Sequence, residues 1–319
     1  MAVEPAIQPV RLGAGNKPVL PIAHGGSWYE KTATEADLVA SMEVAFAGGI
    51  RHFDTASGYA GGRSEELLGD FLKGRRDEIF LASKSNPAEL TAAAMVEAID
   101  GSMKRLDVDY IDLYYIHWPQ AGQDMRPRME GLEQARRDGK IGAIGVSNFS
   151  VPQLEQVSEV ARPSVHQLGY NLLWRHLEAE IIPYCASHDI SVVAYSALAH
   201  GILTGKFGLD PGLAPDDQRH SILPFRADLW PGVYAGVERM KAIARRLNLP
   251  LATLAVRWIL AQPGISSVVV GSRNAGQSIA NLEVLTPSIA PEFLLELTAL
   301  SDDISAQLPD VGNLFNHYP

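Results

Sequence analysis

Tyr110-Ile-Asp-Leu-Tyr-Tyr-Ile-His117 is a short run, almost continuously apolar, that closes on a histidine. Runs of this kind mark strands buried on both faces, because a strand with one wet face alternates apolar and polar residues instead. The same pattern recurs outward in both directions. Before it come Leu20-Pro-Ile-Ala23, Arg51-His-Phe-Asp-Thr55 and Glu78-Ile-Phe-Leu-Ala-Ser-Lys84. After it come Ile141-Gly-Ala-Ile-Gly-Val146, Val165-His-Gln-Leu-Gly-Tyr170, Ser191-Val-Val-Ala-Tyr-Ser196 and Ser266-Ser-Val-Val-Val-Gly271.

Amphipathic stretches separate these runs. Thr34 is placed to cap a helix reaching about Ala47, with Asp37 as its capping-box partner. Ser64 is placed to cap a helix over residues 65–73, which Gly74 ends. Residues 89–105, 128–137 and 152–160 read in the same way. Eight β-then-α units, with no charge-rich or Gly/Ser linker, predict a (β/α)8 TIM barrel as one domain over residues 1–319. Right-handed βαβ connections make its closure natural. Two segments depart from the alternation. Residues 10–19 predict a small N-terminal β-hairpin plugging the bottom of the barrel. Residues 198–230, punctuated by Gly and Pro, form a long loop after the seventh strand, of a length found in functional lids or in disordered segments.

A length of 319 residues suits such a barrel, and 46% hydrophobic with 20% charged residues suits a soluble protein with a large core. The formal net charge of -10 argues against a nucleic-acid partner, which needs a basic footprint, but leaves room for a local basic pocket around one phosphorylated cofactor. The lone Cys185 can form neither an internal disulfide nor a cysteine-rich metal site, which fits a reducing, cytoplasmic setting. The N-terminus lacks a basic segment followed by a long apolar run, so no signal peptide is read. No apolar stretch reaches the roughly 18 residues of a membrane span.

In a barrel of this kind the chemistry sits at the C-terminal ends of the strands. Polar residues collect there: Asp54 on the second, with Tyr59 on the loop beyond it, Lys84 on the third and His117 on the fourth. Ser147 and Asn148 end the fifth, Gln167 lies in the sixth and Tyr195 ends the seventh. Taken singly, each has an ordinary explanation: Asp54 as a turn cap, Tyr59 as a loop aromatic, Lys84 as a solvated strand end, His117 as a core histidine. Together they have a chemical use. A phenol titrates near ~10, and a neighbouring ammonium favours its anion and lowers that value. Lys84 would do this for Tyr59, Asp54 would hold Lys84, and His117 would orient a carbonyl while Tyr59 gives it a proton. None of them supplies a hydride, so a cofactor must.

These residues resemble the aldo-keto reductase family. Phe53-Asp-Thr-Ala-Ser-Gly-Tyr59 followed by Ser64-Glu-Glu-Leu-Leu-Gly69, then Ala82-Ser-Lys84, Tyr115-Ile-His117-Trp-Pro119 and Ile141 through Asn148, are similar to its successive blocks. Ala194-Tyr-Ser-Ala-Leu198, Gly201-Ile-Leu-Thr-Gly-Lys206 and Gly271-Ser-Arg273 with Gln277 and Asn281 complete the series. The resemblance implies a barrel that binds NADP(H) without a Rossmann fingerprint, with Asp54, Tyr59, Lys84 and His117 as a catalytic tetrad. It implies Ser147, Asn148 and Gln167 on the nicotinamide carboxamide and Tyr195 stacked on the ring. Ser196, Leu198, Gly201, Leu203 and Lys206 would cover the pyrophosphate, and Gly271, Ser272, Arg273, Gln277 and Asn281 would take the adenosine end. The loop resembles the bacterial and channel-subunit-like branches. Ala280 and Gly276 stand where many members have acidic residues.

Arg273 follows Ser272 just before a helix, a natural phosphate site, and predicts a preference for NADP(H) over NAD(H). No His-x-His strand or His-Glu-x-x-His helix points to a metal-dependent hydrolase, so no metal is read. The competing class is a catalytically weak NADP(H)-binding sensor or partner subunit, since fold and cofactor binding do not guarantee turnover. Trp28, Tyr29, Trp118 and Trp230 either line the pocket for a small-molecule carbonyl or alcohol substrate or pack peripherally. Residues 314–318 either fold near the pocket or fray.

Overall fold

The computed structural model describes residues 7–13, 17–27, 33–86, 88 and 90–311. All eight apolar runs become strands: β1 (Ile22–Gly25), β2 (His52–Asp54), β3 (Phe80–Ser85), β4 (Ile111–Ile116), β5 (Ile141–Ser147), β6 (Val165–Gly169), β7 (Ser191–Tyr195) and β8 (Ile265–Gly271). Each pairs in parallel with the next and β8 pairs with β1, closing the barrel. Ten α-helices are formed by the described residues: α1 (Glu35–Ala47), α2 (Arg63–Leu72), α3 (Ala92–Leu106), α4 (Arg126–Arg137), α5 (Val151–Ser158), α6 (Ile181–Ser187), α7 (Trp230–Leu247), α8 (Leu251–Leu260), α9 (Ala275–Glu283) and α10 (Pro291–Ser305). A large apolar layer, including Phe53, Ile99, Tyr114, Leu154 and Trp258, joins helices to barrel.

The N-terminal plug forms as a single antiparallel bridge between Val10 and Val19. Leu12 and Val19 are buried with Phe80, Ala82, Leu113, Ala143, Val165 and Val193 inside the barrel. Burying each such side chain stabilises by about 1.5–3 kcal/mol, and Lys17 adds an ion pair to Asp112 at 3.2 Å. The plug therefore closes the end of the barrel opposite the strand C-termini.

The caps follow the sequence at α1, where Thr34 and Asp37 form the complete capping box. At α2 the reading is corrected. The helix starts at Arg63, its N-cap is Gly62 at φ +99°, and Ser64 lies inside it. Ser64 Oγ instead donates to Gly26 O and meets Thr55 Oγ1, each at 2.8 Å, so tertiary partners outcompete the helix end. The helix expected from residue 89 begins at Ala92, because Thr91 caps it through Ala94 N. The long loop is only partly loose: Ala199, Ile202, Leu203, Ile222, Leu223 and Phe225 are buried. No helix among the described residues is long and apolar enough to cross a membrane.

Candidate active site

Alternation along each strand sends every second side chain inward. Phe80, Ala82, Leu113 and Tyr115 occupy the barrel interior, so Lys84 points inward above Ala82, and the register sets it beside Tyr115. Asp54 pairs in register with Ala82. Lys84 is fully buried; its Nζ donates to Asp54 Oδ1 and, at 2.8 Å, to Thr55 O. The other Asp54 oxygen accepts from Gln167 Nε2 at 2.8 Å. Full burial and these bonds hold Lys84 in one position, and removing one partner of such a buried pair is far costlier than removing both.

Tyr59 stands over this pair. Lys84 Nζ is 5.2 Å from the Tyr59 ring centroid, and the His117 ring meets the Tyr59 ring edge-on at 5.6 Å. Burial pushes the Lys84 ammonium below the ordinary lysine range, against the pull of Asp54 and Glu65. Burial, then the charge of Lys84, pushes His117 down to about 3. His117 is thus a neutral imidazole near pH 7, able to donate a hydrogen bond without carrying charge. The structure brings the four residues together at one barrel mouth, and Trp118 lies beside them with its ring centroid 6.3 Å from His117.

A second group of polar side chains lies across the mouth. Asn148, at φ +65°, donates through Nδ2 to His117 O at 3.2 Å and to Ser147 Oγ at 3.0 Å. Tyr195 Oη donates to Asn148 Oδ1 at 2.7 Å, and Ser147 Oγ to Gln167 O at 3.0 Å. Burial raises the Tyr195 phenol, which keeps it a donor. Phe149 N donates to His166 Nε2 at 3.0 Å, which fastens the turn after Asn148 from behind. The engagement of Gln167 with Asp54 was not anticipated from sequence.

The third group is cationic. After β7 the backbone takes left-handed angles at Ser196, Ala199, His200, Gly201 and Gly205. A Cβ on Gly201 would lie 3.2 Å from Lys206 Cε, so the lysine folds back under that turn. Burial first, then the charges of Arg219 and Arg273, holds the Lys206 ammonium below its ordinary range. Burial and Arg219 likewise push His200 down to about 4. The charges of Arg219, from the same loop, and of Arg273, from beyond β8, thus both reach Lys206, and Arg219 is itself paired with Asp217. At the end of β8, Arg273 N donates to Gln277 Oε1 at 2.9 Å and Asn281 Nδ2 to Ser272 Oγ at 3.2 Å. Ser278 Oγ links Ser272 Oγ to Ser41 Oγ, each at 2.9 Å. Leu203 is buried in the main core and Leu198 packs against it.

Arg219 and His200 were missed in the sequence because they stand in a loop with no spacing motif. Trp230 opens α7, is buried, and stacks on Phe225 at 5.3 Å with its Nε1 donating to Leu209 O at 2.8 Å. It thus packs the loop's own core. Trp28, Tyr29 and residues 314–318 lie outside the described residues. Among the described residues no three His, Cys, Asp or Glu side chains gather as a metal site.

Comparison with known proteins agrees with the fold. The model of the aldo/keto reductase family matches residues 22–302, and the chain belongs to that family. It is 34% identical over 289 residues to the aldo-keto reductase YhdN of Bacillus subtilis, covering 87% of this chain and 86% of that one. It is 30% identical to a probable voltage-gated potassium channel subunit beta of Oryza sativa, covering 86% and 91%. Glycerol dehydrogenase AKR11B4 of Gluconobacter oxydans superposes with a TM-score of 0.83 at 29% identity over 96% of each chain. An aldo/keto reductase of Klebsiella pneumoniae in complex with NADP and acetate superposes with a TM-score of 0.76 at 25% identity, covering 96% and 98%. The chain is thus an oxidoreductase of a family in which the Klebsiella pneumoniae neighbours were solved with NADP(H). Three cations and a left-handed turn rich in backbone N–H groups fit a phosphate-bearing dinucleotide.

The packing divides the loop after β7 into two parts. Phe207, Phe225 and Trp230 form an aromatic knot, while Leu209 is 64% exposed. Added NADP(H) is therefore expected to slow hydrogen exchange over residues 205–221, with little change over residues 222–230, which are already packed. Equal exchange over 205–221 with and without the dinucleotide would count against closure.

Proposed function

We propose that this chain is an NADPH-dependent reductase, interconverting aldehydes or ketones, sugars among them, with alcohols, and working as a single domain in the cytoplasm. The observation that carries this reading is the buried Lys84–Asp54 pair beneath Tyr59 and beside neutral His117. The dinucleotide, when bound, supplies or accepts the hydride. His117 donates a hydrogen bond to the substrate oxygen and orients it. Tyr59 gives that oxygen its proton in reduction and takes it back in oxidation. The Lys84 cation favours the phenolate that remains. Asp54 and Gln167 fix the ammonium in place. Ser147, Asn148 and Gln167 offer the amide-matching groups for a carboxamide, with the Tyr195 ring as a flank. Ser196, Leu198, Gly201, Leu203, Lys206 and Arg219 would cover the diphosphate, and Gly271, Ser272, Arg273, Gln277 and Asn281 the adenosine end.

The test is oxidation of NADPH in the presence of a panel of aldehydes, ketones and sugars. Turnover with at least one member supports the reductase. Tight NADPH binding with no turnover across the panel supports the second reading, a cofactor-binding sensor or partner subunit, which the channel-subunit relative favours.

Cofactor preference has its own test. Arg273 is exposed, follows buried Ser272, and acts on Lys206 through its charge. A charge-assisted hydrogen bond to phosphate contributes about 1.5–3 kcal/mol, or roughly ten- to a hundred-fold in affinity. Arg273→Ala is expected to weaken NADPH binding by that factor and leave NADH almost unchanged, measured by paired fluorescence titrations. Equal losses for both dinucleotides, or none, would remove Arg273 from phosphate recognition.

A further inference from the structure

Glu65 takes no part in the chemistry above, yet it is fully buried. Carboxylates are almost never fully buried unless paired. Glu65 lies in the first turn of α2, and its two oxygens reach different elements. Oε2 accepts from Arg105 Nε of α3 at 2.6 Å, and Oε1 from Ser83 Oγ of β3 at 2.5 Å. Ser83 immediately precedes Lys84. The pair therefore ties the helix that follows Tyr59 to the strand that carries the ammonium.

Arg105 makes a second contact with the same turn. Ala60, Gly61 and Gly62, the three residues after Tyr59, have φ of +48°, +63° and +99°. Such left-handed angles persist only where the surroundings hold them. A Cβ at Gly62 would lie 3.0 Å from Arg105 Cδ and 3.3 Å from its Nε, so the guanidinium runs directly against the turn. The Arg105 side chain is 31% exposed, so one end of the pair reaches solvent while Glu65 does not.

We propose that Glu65 and Arg105 are positioning residues: their half-buried pair, anchored through Ser83, clamps the left-handed turn that follows Tyr59 onto the strand bearing Lys84, setting phenol over ammonium. This rests on the reductase reading above. Of the charged groups around Glu65, Arg105 of α3 meets it directly and Lys84 of β3 lies within reach of its charge. The Glu65 charge also helps to keep Lys84 protonated against its burial. Loss of that charge makes both the ammonium and the phenol easier to deprotonate, so the alkaline limb of the reduction profile moves to lower pH.

The experiment compares wild type, Glu65→Gln, Arg105→Lys, Arg105→Met and the double variant Glu65→Gln/Arg105→Met. In Glu65→Gln, kcat is expected to fall roughly 10- to 100-fold, the scale of small misplacements of a reacting group. NADPH affinity and the carbonyl KM should be unchanged, and the alkaline limb should move acidward. Arg105→Lys should recover part of the kcat lost in Arg105→Met, and the double variant should be no slower than Arg105→Met, since the two residues act as one. Hydrogen exchange over residues 58–63 should quicken in Arg105→Met whether or not any carbonyl turns over. A wild type inactive on every carbonyl would sink the reductase reading alone. Unchanged exchange in Arg105→Met, or a Glu65→Gln variant with wild-type kcat, or one with a uniform loss and an unmoved limb, would overturn the clamp.

Discussion

Tyr59→Phe is expected to lower the single-turnover rate of carbonyl reduction by about 10²–10⁴, the usual contribution of a positioned general acid. The substitution removes one oxygen and keeps the ring that meets His117 edge-on and lies 5.2 Å from the Lys84 ammonium. The fold and the cations Lys206, Arg219 and Arg273 are left alone, so the NADPH dissociation constant should hold. No neighbour can replace the phenol. His117, pushed down to about 3, is neutral near pH 7 and lacks the acidic imidazolium proton. Lys84 is tied to Asp54 and to Thr55 O. The wild-type profile should accordingly show no break near the ordinary histidine value, about 6.5, and should fall only on the alkaline side. A Tyr59→Phe enzyme turning over at the wild-type rate would remove Tyr59 from the chemistry.

Much of this site was legible in sequence because its residues sit at the ends of apolar runs, and those runs are self-announcing. The run ending in His117 and the one ending in Lys84 place both side chains once the strands are assigned. The capping box at Thr34 and Asp37 was legible for the same reason: its partners are three residues apart. What was hidden depends on partners distant in sequence. Ser64 has the look of a cap, but Gly26 and Thr55 claim its hydroxyl. Glu65 stands in the first turn of a helix, and its burial is explained only by Ser83 and by Arg105, 40 residues on. Arg219 stands in an irregular loop and acquires meaning only beside Lys206. Trp230 reads in sequence as either a pocket wall or peripheral packing, and its stack on Phe225 is visible only once the loop is folded.

Lys84→Met should separate the chemistry from the stability of the same pair. Methionine is unbranched and of similar length, so it can follow the lysine's path through the core. Its loss leaves Asp54, 3% exposed, with Gln167 as its remaining side-chain partner. Breaking a buried pair from one side costs about 3–5 kcal/mol, because the remaining charge is neither solvated nor paired. The orphaned carboxylate should respond by holding a proton in the folded state. A carboxyl that binds its proton more tightly when folded favours the folded state below its unfolded value and loses that advantage as pH rises. The melting deficit of Lys84→Met relative to wild type should therefore be larger at pH 8 than at pH 5. In Lys84→Met/Asp54→Asn the charge is gone, and much of the stability should return. Activity should not return, since neither variant has a cation to favour the Tyr59 phenolate. Thermal melts at both pH values and single-turnover rates for the single and double variants decide the matter. A Lys84→Met enzyme with a wild-type chemical step would remove the ammonium from the mechanism. A double variant that regains both stability and rate would reduce the pair to a packing element.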